Sequence, residues 1–433
     1  MKKESETPQP LSIKRNMLWN SMGSLFNMVC QWLITVLVVR FSSGYDSAGV
    51  YSLAMSVYGM FSQVAQYRTY TYQISDVHGE NSVGEYLSFR ALTGGAAVVL
   101  TMGYAALTCR PNALLAIFLY AVFKLAGLMI DVLHASDQQC HRMDYIGKSL
   151  IMQGIVSLGL FALVFGTSGN LELALLLMAV GVGAVGILYD YPHARALTMI
   201  HPGITWAKAR HLLVRCAPVV VAGIACSAAP SIPRQYLSAT MGDSALGIYA
   251  SVAAPVAVIQ MGASYVYNPL LGYLSESYDK GDRHGFLRLM TLTFGGIVAV
   301  GVVCSIGLEF LGGPLLSFVY GADIVKYLYL LQPLVFCAII TGVTWFVNDL
   351  LIALRNFRCT FIGSMVALGV SLAATVPAQN LLGMNGVTAA NVLSCLASSA
   401  FMMVCLSWQV RDRFKNAGGS GAAGETDEGE KGK

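Results

Sequence analysis

The sequence predicts an all-α polytopic membrane protein with about twelve transmembrane helices. Of its 433 residues, 55% are hydrophobic and only 12% are charged, whereas soluble domains carry about 25% charged residues. The apolar residues form long runs without Asp, Glu, Lys or Arg, such as 16–39, 149–171 and 289–308. Crossing the hydrocarbon core takes roughly 20 helical residues, and a backbone in lipid must satisfy its own hydrogen bonds. Each run is therefore expected to form a helix.

The apolar runs set the order of the predicted helices. They are placed at 14–41, 45–75, 82–109, 112–140, 144–166, 170–190, 208–240, 243–277, 283–309, 324–354, 358–380 and 385–411. The run 359–410 is long enough for two spans, and Pro377 with the stretch 383–386 divides it. The segment before the first run lacks a cleavage site, so that run is expected to be retained. Residues 1–13 are then a polar cytoplasmic N-terminus, and 412–433 a disordered cytoplasmic tail.

Two other sequence features do not indicate a metal site or a nucleotide-binding site. The ten Cys lie mostly inside spans and form no CxxC pair, so they are interpreted as small apolar residues and no metal site is expected. The segment 181–186 (GVGAVG) fits GxGxxG but lies within an apolar span, where close helix packing explains glycines better than nucleotide binding.

The basic residues predict the orientation. If the chain crosses the membrane twelve times, both termini lie on the same side. Of the 27 Lys and Arg, four lie on the opposite side (Arg40, Arg110, Arg234 and Lys326) and Lys124 lies within a span. The rest lie on the side of the termini. The positive-inside rule then places both termini in the cytoplasm. The basic balance has this origin and does not indicate nucleic-acid binding.

The two halves of the chain are similar in sequence, which indicates an internal repeat. The segment 48–54 (AGVYSLA) resembles 246–252 (LGIYASV), and each follows an Arg, Arg40 or Arg234, that ends the preceding span. Asp131 and the later pair at 146–147 are matched by Asp349 and the pair at 362–363. Six helices per half is an even number, so the two six-helix bundles, 14–205 and 206–411, are expected to be parallel repeats. A cleft between them would suit alternating access.

Lys124 is the polar residue deepest in a predicted span. It lies about 12 residues from the helix start, or roughly 18 Å deep, where a Lys costs about 3 kcal/mol and must face protein or water. It is expected either to contact an anionic substrate or to pair with Asp131, seven residues on.

Other charges fall at helix ends. Asp131, His134 and Asp349 are candidates for gating or ion coupling, or are simply solvated charges. Arg40 and Arg234 are candidates for a cationic cavity, because an Arg fork suits phosphate, or they snorkel to headgroups. Pro230 and Pro233 are expected to break the helix before Arg234. Arg68 and Arg90 would lie near the inner mouth, either guiding anionic headgroups or acting as ordinary positive-inside residues.

Three blocks of sequence form a recognisable pattern: Arg40 with 48–54 and Asp76; Asp131 with Gln138 and 142–149 (RMDYIGKS); and 232–234 (IPR) with Gly242 and 246–249 (LGIY). These blocks resemble bacterial polysaccharide-export flippases, the Wzx-like proteins of the multidrug/oligosaccharidyl-lipid/polysaccharide exporter superfamily. The resemblance covers nearly all of residues 14–411.

The resemblance implies a transporter whose halves enclose a cationic cavity. It would carry an undecaprenyl-pyrophosphate-linked oligosaccharide between leaflets, alongside glycosyltransferases or a polymerase of the same pathway. No cofactor is implied beyond Na⁺ or H⁺ as coupling ion, and the chain has no GxxxxGK[ST] for direct ATP use.

Three alternatives to this reading are open from the sequence. A multidrug antiporter of the same superfamily would favour an acid-lined cavity, and a lipid II flippase would be expected to have helices beyond twelve. A membrane-bound glycan polymerase or ligase would need larger loops than this chain offers, so no catalytic residue and no enzyme activity is expected.

Overall fold

The computed structural model describes residues 11–42, 44–76 and 79–422, and these form helices joined by short turns. Ten of the helical segments in these ranges are long and apolar enough to cross a membrane. The predicted class, an all-α polytopic membrane protein, is therefore confirmed. The expectations for residues 1–10 and 423–433 lie outside the described residues.

The chain divides into two compact units. The first comprises residues up to Ala254 together with Val319–Gly321, and the second comprises Pro255–Phe318 with the chain from Ala322 onward. The first contains α1 (Ile13–Phe41), α2 (Asp46–Gln66), α3 (Thr69–Ser75), α4 (Val83–Thr108), α5 (Pro111–Gln139), α6 (Met143–Ser168), α7 (Leu171–Val185), a π-helical turn (Gly186–Asp190), α8 (Tyr191–Leu197), α9 (Trp206–Met241) and α10 (Asp243–Ala253). The second contains α11 (Ala257–Asp279), most of α12 (Arg283–Tyr320), a 3-10 helix (Ala322–Leu330), α13 (Leu331–Ala353), α14 (Phe357–Leu382) and α15 (Asn385–Ala422).

Local sequence signals explain several helix ends. Ser82 begins α4 with a capping box, since its side chain accepts from the Glu85 amide while the Glu85 carboxylate accepts from the Ser82 amide. Pro111 occupies the first turn of α5, where its missing N–H costs nothing. Gly169 ends α6 in the left-handed conformation (φ 64°), which glycine adopts without strain.

Two predicted helices are interrupted. The predicted helix 45–75 divides into α2 and α3 because Tyr67 and Arg68 have positive φ (40° and 55°). The predicted helix 243–277 divides into α10 and α11 next to Pro255, which lacks an amide donor and crowds the preceding turn. Both breaks fall in helices that the sequence repeat relates to each other.

The predicted break near Arg234 is wrong, because α9 is continuous through Pro218, Pro230 and Pro233. Backbone acceptors around these prolines keep partners. The Ser231 hydroxyl donates to the Ser227 carbonyl at 2.8 Å, and the Ser56 hydroxyl of α2 donates to the Ser231 carbonyl at 3.2 Å. Helix α2 therefore contacts the backbone of α9 between Pro230 and Pro233.

Two helices run past their predicted ends. Helix α12 reaches Tyr320 instead of 309, and α15 reaches Ala422 instead of 411, which shortens the predicted tail. Phe414 explains the second extension, because its ring lies 6.2 Å from Tyr278 and 6.1 Å from Phe286. Through Phe414, these aromatic contacts hold the first turn beyond 411 against α11 and α12.

Glycines permit the closest helix contacts of the first unit. Gly49 of α2 faces the start of α10, where a Cβ would clash with the Asp243 backbone, and Gly247 of α10 faces the Tyr45 carbonyl in the same way. Gly181 of α7 packs on Leu160 and Val156 of α6, in line with the packing interpretation of the 181–186 motif.

Candidate functional site: a polar cavity in the first unit

Five helices of the first unit enclose a cavity of about 230 Å³. Helices α1, α2, α5, α6 and α7 contribute to it, and most of its lining side chains are polar although all five helices are apolar overall. The polar lining consists of Asn27, Gln31, Tyr58, Gln66, Lys124, Asp131 and Gln153. Polar groups at this depth are expensive in a membrane unless they face protein or a ligand, so the cavity is the leading candidate for a functional site.

Lys124 is held in the cavity by aromatic rings. Its ammonium lies 5.0 Å from the Phe123 ring centroid and 5.4 Å from that of Tyr120, and Tyr120 packs edge-on against Tyr58 at 5.9 Å. Such cation–π contacts stabilise a charge by about 0.5–2 kcal/mol and leave it able to bind an anion. Within residues 11–42, 44–76 and 79–422, Lys124 has no carboxylate within 4 Å.

Asp131 lines the same cavity as Lys124 but does not form the ion pair that was one expectation from the sequence. The amides nearby are partly engaged, since Gln31 Nε2 donates to the Ser157 hydroxyl at 3.3 Å. The buried Oδ1 of Asn27 has no hydrogen-bond donor among the described residues. The lining therefore offers a cation, an anion and amide groups together.

A buried hydrogen-bond chain leads away from the cavity. Gln153, which lines the cavity, donates from Nε2 to the Ser149 hydroxyl at 3.0 Å. Ser149 donates to Asp190 Oδ2 at 2.9 Å, and Asp190 Oδ1 lies 3.1 Å from His134 Nε2. Asp190 is fully buried and His134 nearly so. His134 was predicted from the sequence, whereas its partner Asp190 was not.

Asp137 lies one helical turn after His134 and is also fully buried. Neither of its carboxylate oxygens has a hydrogen-bond partner in the part of the chain that the structure describes. An isolated buried carboxylate is costly, so this group is expected to hold a proton or a cation. The sequence offered one signal for Asp137, a charge at a position one turn from His134 on the same face.

Arg90 is buried and binds the backbone of α2. It is 1% exposed, and its Nη1 donates to the carbonyls of Ala65 and Gln66, at 3.0 and 2.5 Å. These are the last carbonyls of α2, so Arg90 caps that helix just before the left-handed Tyr67 and Arg68. Arg68 itself is exposed. Contact of either arginine with a headgroup remains a prediction.

Arg40, Arg234 and Asp349 are not among the residues that line this cavity. Arg40 is exposed in the last turn of α1, and Arg234 is partly buried in α9; neither lines the cavity. The Nε of Arg234 is buried without a hydrogen-bond partner among the described residues. Asp349 belongs to the second unit, where it accepts from the Tyr267 hydroxyl at 2.9 Å. A gating or ion-coupling role for Asp131 and Asp349 therefore remains a prediction.

Outside the spans, Asp76 organises the turn before α4. Its carboxylate accepts from the Tyr86 hydroxyl at 2.7 Å and from the amides of Glu80 and Asn81 at 2.9 and 3.0 Å. Partial burial acts to raise the pKa of Asp76, but these hydrogen bonds outweigh burial and hold the pKa below its ordinary value.

Known structures resemble this chain over most of its length. A lipid II flippase, MurJ, in an inward closed conformation superposes with a TM-score of 0.69 at 12% identity, covering 92% of this chain and 90% of that one. An inward-facing multidrug resistance MATE transporter of the MOP superfamily gives 0.64 at 11% identity, covering 92% and 99%. This chain has the MOP-superfamily fold. That fold contains twelve helices in two repeats, as the sequence predicted.

One curated protein is similar in sequence to this MOP-fold chain. It is the capsular polysaccharide biosynthesis protein CapF of Staphylococcus aureus, 23% identical over 369 residues, which cover 83% of this chain and 85% of CapF. No family model matches the chain. The predicted resemblance to polysaccharide-export flippases is confirmed by these findings, and the chain is a multi-pass membrane protein.

Proposed function

We propose that this protein is a flippase for a lipid-linked oligosaccharide, carried on undecaprenyl pyrophosphate, for assembly of a surface polysaccharide such as capsule, O-antigen or a teichoic-acid-type glycan. One observation carries the proposal: Lys124 lies inside an apolar bundle, held by two rings, without a carboxylate within 4 Å among the described residues. A half-buried cation in an apolar bundle is suited to an anionic cargo. The similarity to CapF and MurJ supports the same cargo class.

The lining of the cavity fits the head of such a lipid. The Lys124 ammonium would bind a pyrophosphate oxygen, and the amides of Asn27, Gln31 and Gln153 would donate to and accept from sugar hydroxyls. Tyr58 adds a ring face and a hydroxyl. The isoprenoid tail would remain in the bilayer during transfer, because apolar surface gains nothing by entering a polar cavity. The proposal is transport without catalysis.

Ion coupling would use the buried carboxylates of the first unit. We place the coupling ion, H⁺ or Na⁺, at Asp137 and the His134–Asp190 pair, which the Ser149–Gln153 chain links to the cavity. A bound cation would lower the free-energy cost of burying the unpartnered Asp137 carboxylate. The ion would therefore favour the transporter conformation that binds it more tightly. Asp131 and Asp349 are proposed as gating residues.

The proposed setting is the bacterial plasma membrane, with both termini in the cytoplasm and with glycosyltransferases or a polymerase as pathway partners. The distribution of Lys and Arg supports the orientation. The cargo would then enter from the cytoplasmic leaflet, where sugars are added to the carrier, and leave in the outer leaflet.

A strain lacking the chromosomal copy tests the proposal. Lys124→Ala should abolish surface polysaccharide at unchanged protein level, whereas Lys280→Ala should not, because Lys280 is an exposed residue paired with Glu276 outside the cavity. The purified Lys124→Ala variant should also lose binding of undecaprenyl pyrophosphate in native mass spectrometry. Full complementation by Lys124→Ala would overturn the proposal.

A cation-coupled multidrug antiporter is the second candidate, favoured by one observation. Asp131 lines the cavity without an ion-pair partner among the described residues, and a carboxylate in that state could bind a cationic drug. Drug susceptibility of the same strains separates the two candidates. Resistance that depends on Asp131 and not on Lys124 would favour the antiporter.

A further inference from the structure

The second unit contains a separate cavity of about 460 Å³ between α12 and α15. Ligand pockets commonly have volumes of about 300–1,000 Å³, so it can hold part of a lipid. Its lining is mostly apolar, and its polar residues are Arg283 at the start of α12 and Ser407 and Arg411 of α15. The apolar part comprises Leu287, Met290, Met403, Leu406, Val410 and Phe414.

The wall of this cavity is fixed by contacts to a third helix. The Phe414 ring packs against Tyr278 of α11 and Phe286 of α12, at 6.2 and 6.1 Å between centroids. Arg413 lies over the Tyr278 ring at 6.0 Å and donates to the Asp279 carbonyl at 3.0 Å. Leu406 is almost fully buried behind them. The cavity is therefore formed by packed side chains, and a ligand would not have to create it.

Arg283 and Arg411 line the cavity and are exposed. Among the described residues, neither lies within 4 Å of a carboxylate, in contrast to Lys280 and Lys326, which have such partners. An Arg guanidinium binds phosphate oxygens through two parallel hydrogen bonds. Two such groups at the edge of an apolar cavity suit a molecule with an anionic phosphate head and a hydrocarbon tail.

We propose that this cavity binds an anionic phospholipid of the bilayer, such as phosphatidylglycerol. Arg283 and Arg411 contact the phosphate, and one acyl chain lies along Met290, Met403 and Leu406. A soluble phosphate would leave the apolar lining unfilled, and a zwitterionic lipid would bring an amine next to two guanidinium groups. The cavity lies wholly in the second unit, so the proposal does not depend on the cargo bound in the first.

Native mass spectrometry of the full chain in detergent tests the proposal. The protein is titrated with phosphatidylglycerol and, separately, with phosphatidylethanolamine of the same acyl chains. Wild type should retain phosphatidylglycerol preferentially, and Arg283→Gln or Arg411→Gln should weaken that retention by about fivefold each. Arg288→Gln is the matched control, because Arg288 is exposed on the same helix and does not line the cavity.

A second variant addresses the apolar part of the site. Met290→Trp should fill the cavity and reduce retention of both lipids, whereas the arginine variants should remove only the preference for the anionic one. The proposal is overturned if wild type shows no preference or if Arg288→Gln has an equal effect. Tighter retention of undecaprenyl phosphate than of phosphatidylglycerol, or a dimer that excludes lipid, would also overturn it.

Discussion

Gly49 of α2 and Gly247 of α10 lie in backbone contact: a Cβ built on Gly247 would come 2.8 Å from the Gly49 amide nitrogen. The same Cβ would clash with the Tyr45 carbonyl, and one on Gly49 would clash with the Asp243 carbonyl. These glycines occupy equivalent positions in the repeated segments 48–54 and 246–252. The repeat therefore preserves a close helix crossing, in addition to any role in transport.

Gly49→Ala and Gly247→Ala are expected to destabilise the protein by about 1–3 kcal/mol or more, because backbone must move to admit the new methyl group. Thermal unfolding in detergent, followed by fluorescence-detected size exclusion, measures the effect. Gly59→Ala is the control, because Gly59 lies on the same helix as Gly49 and a Cβ built there meets nothing within 4 Å. A loss of stability in Gly59→Ala equal to that in Gly49→Ala would contradict the packing explanation.

Arg90→Met is expected to lower stability by about 1.5–3 kcal/mol, the range for a hydrogen bond that involves a charged group. The reason is that the Ala65 and Gln66 carbonyls would lose their buried donor. Arg68→Met, an exposed arginine three residues from Ala65, should change stability by less than about 0.5 kcal/mol. Equal effects of the two substitutions would show that Arg90 is not the cap of α2.

Asp137→Asn and Asp190→Asn are expected to differ in their effect on stability, and only Asp190→Asn should be destabilising. Asp190 binds His134 and Ser149, so its substitution breaks a buried pair and should cost about 3–5 kcal/mol. Asp137 has no partner among the described groups, so removing its charge should be neutral or stabilising.

Thermal unfolding of these two variants at neutral pH gives the comparison directly. Export by Asp137→Asn should then fall although the protein is as stable as wild type, if Asp137 holds the coupling ion. The assignment fails if Asp137→Asn destabilises the chain as strongly as Asp190→Asn does.

Asp76 should make stability depend on pH in acid. Its folded-state pKa is lowered, so it contributes stability above the unfolded value of about 3.9, and that contribution is lost as pH falls through the folded pKa. Wild type should therefore be more stable than Asp76→Asn at pH 7, and the difference should shrink below about pH 4. Thermal unfolding across this range checks the trend. A difference that stays constant down to the lowest pH would rule out the carboxylate as its source.

The positions of the helices could be predicted from the sequence, because a segment that crosses lipid must be a long run without charged residues. The breaks within the helices could not be predicted. The break at Tyr67 and Arg68 depends on Arg90, which caps α2 from 24 residues further along the chain. Helix α9 likewise continues through Pro230 and Pro233, where Ser56 of α2 binds its backbone. Neither contact leaves a local pattern in the sequence.

Part of the candidate site could also be predicted. Lys124 and Asp131 were identified because a charge within or at the end of an apolar span is unusual. Asp190 was missed because its role comes from His134, on a helix that is distant in sequence. Arg40 and Arg234 were candidates for a cationic cavity because an Arg fork suits phosphate, and the cavity of the first unit is lined by other residues.

The π-helical turn at Gly186–Asp190 sets the direction in which Asp190 points. Such a turn contains one residue more than an α-helix would need for the same rise. Deleting a single residue there would restore α-helical register and rotate the rest of the helix by about 100° about its axis, carrying the carboxylate away from His134. A homologue without this extra residue would lose the His134–Asp190 contact even if it kept both side chains. Conservation of His134 and Asp190 in an alignment would therefore not be enough to show that a homologue forms the contact.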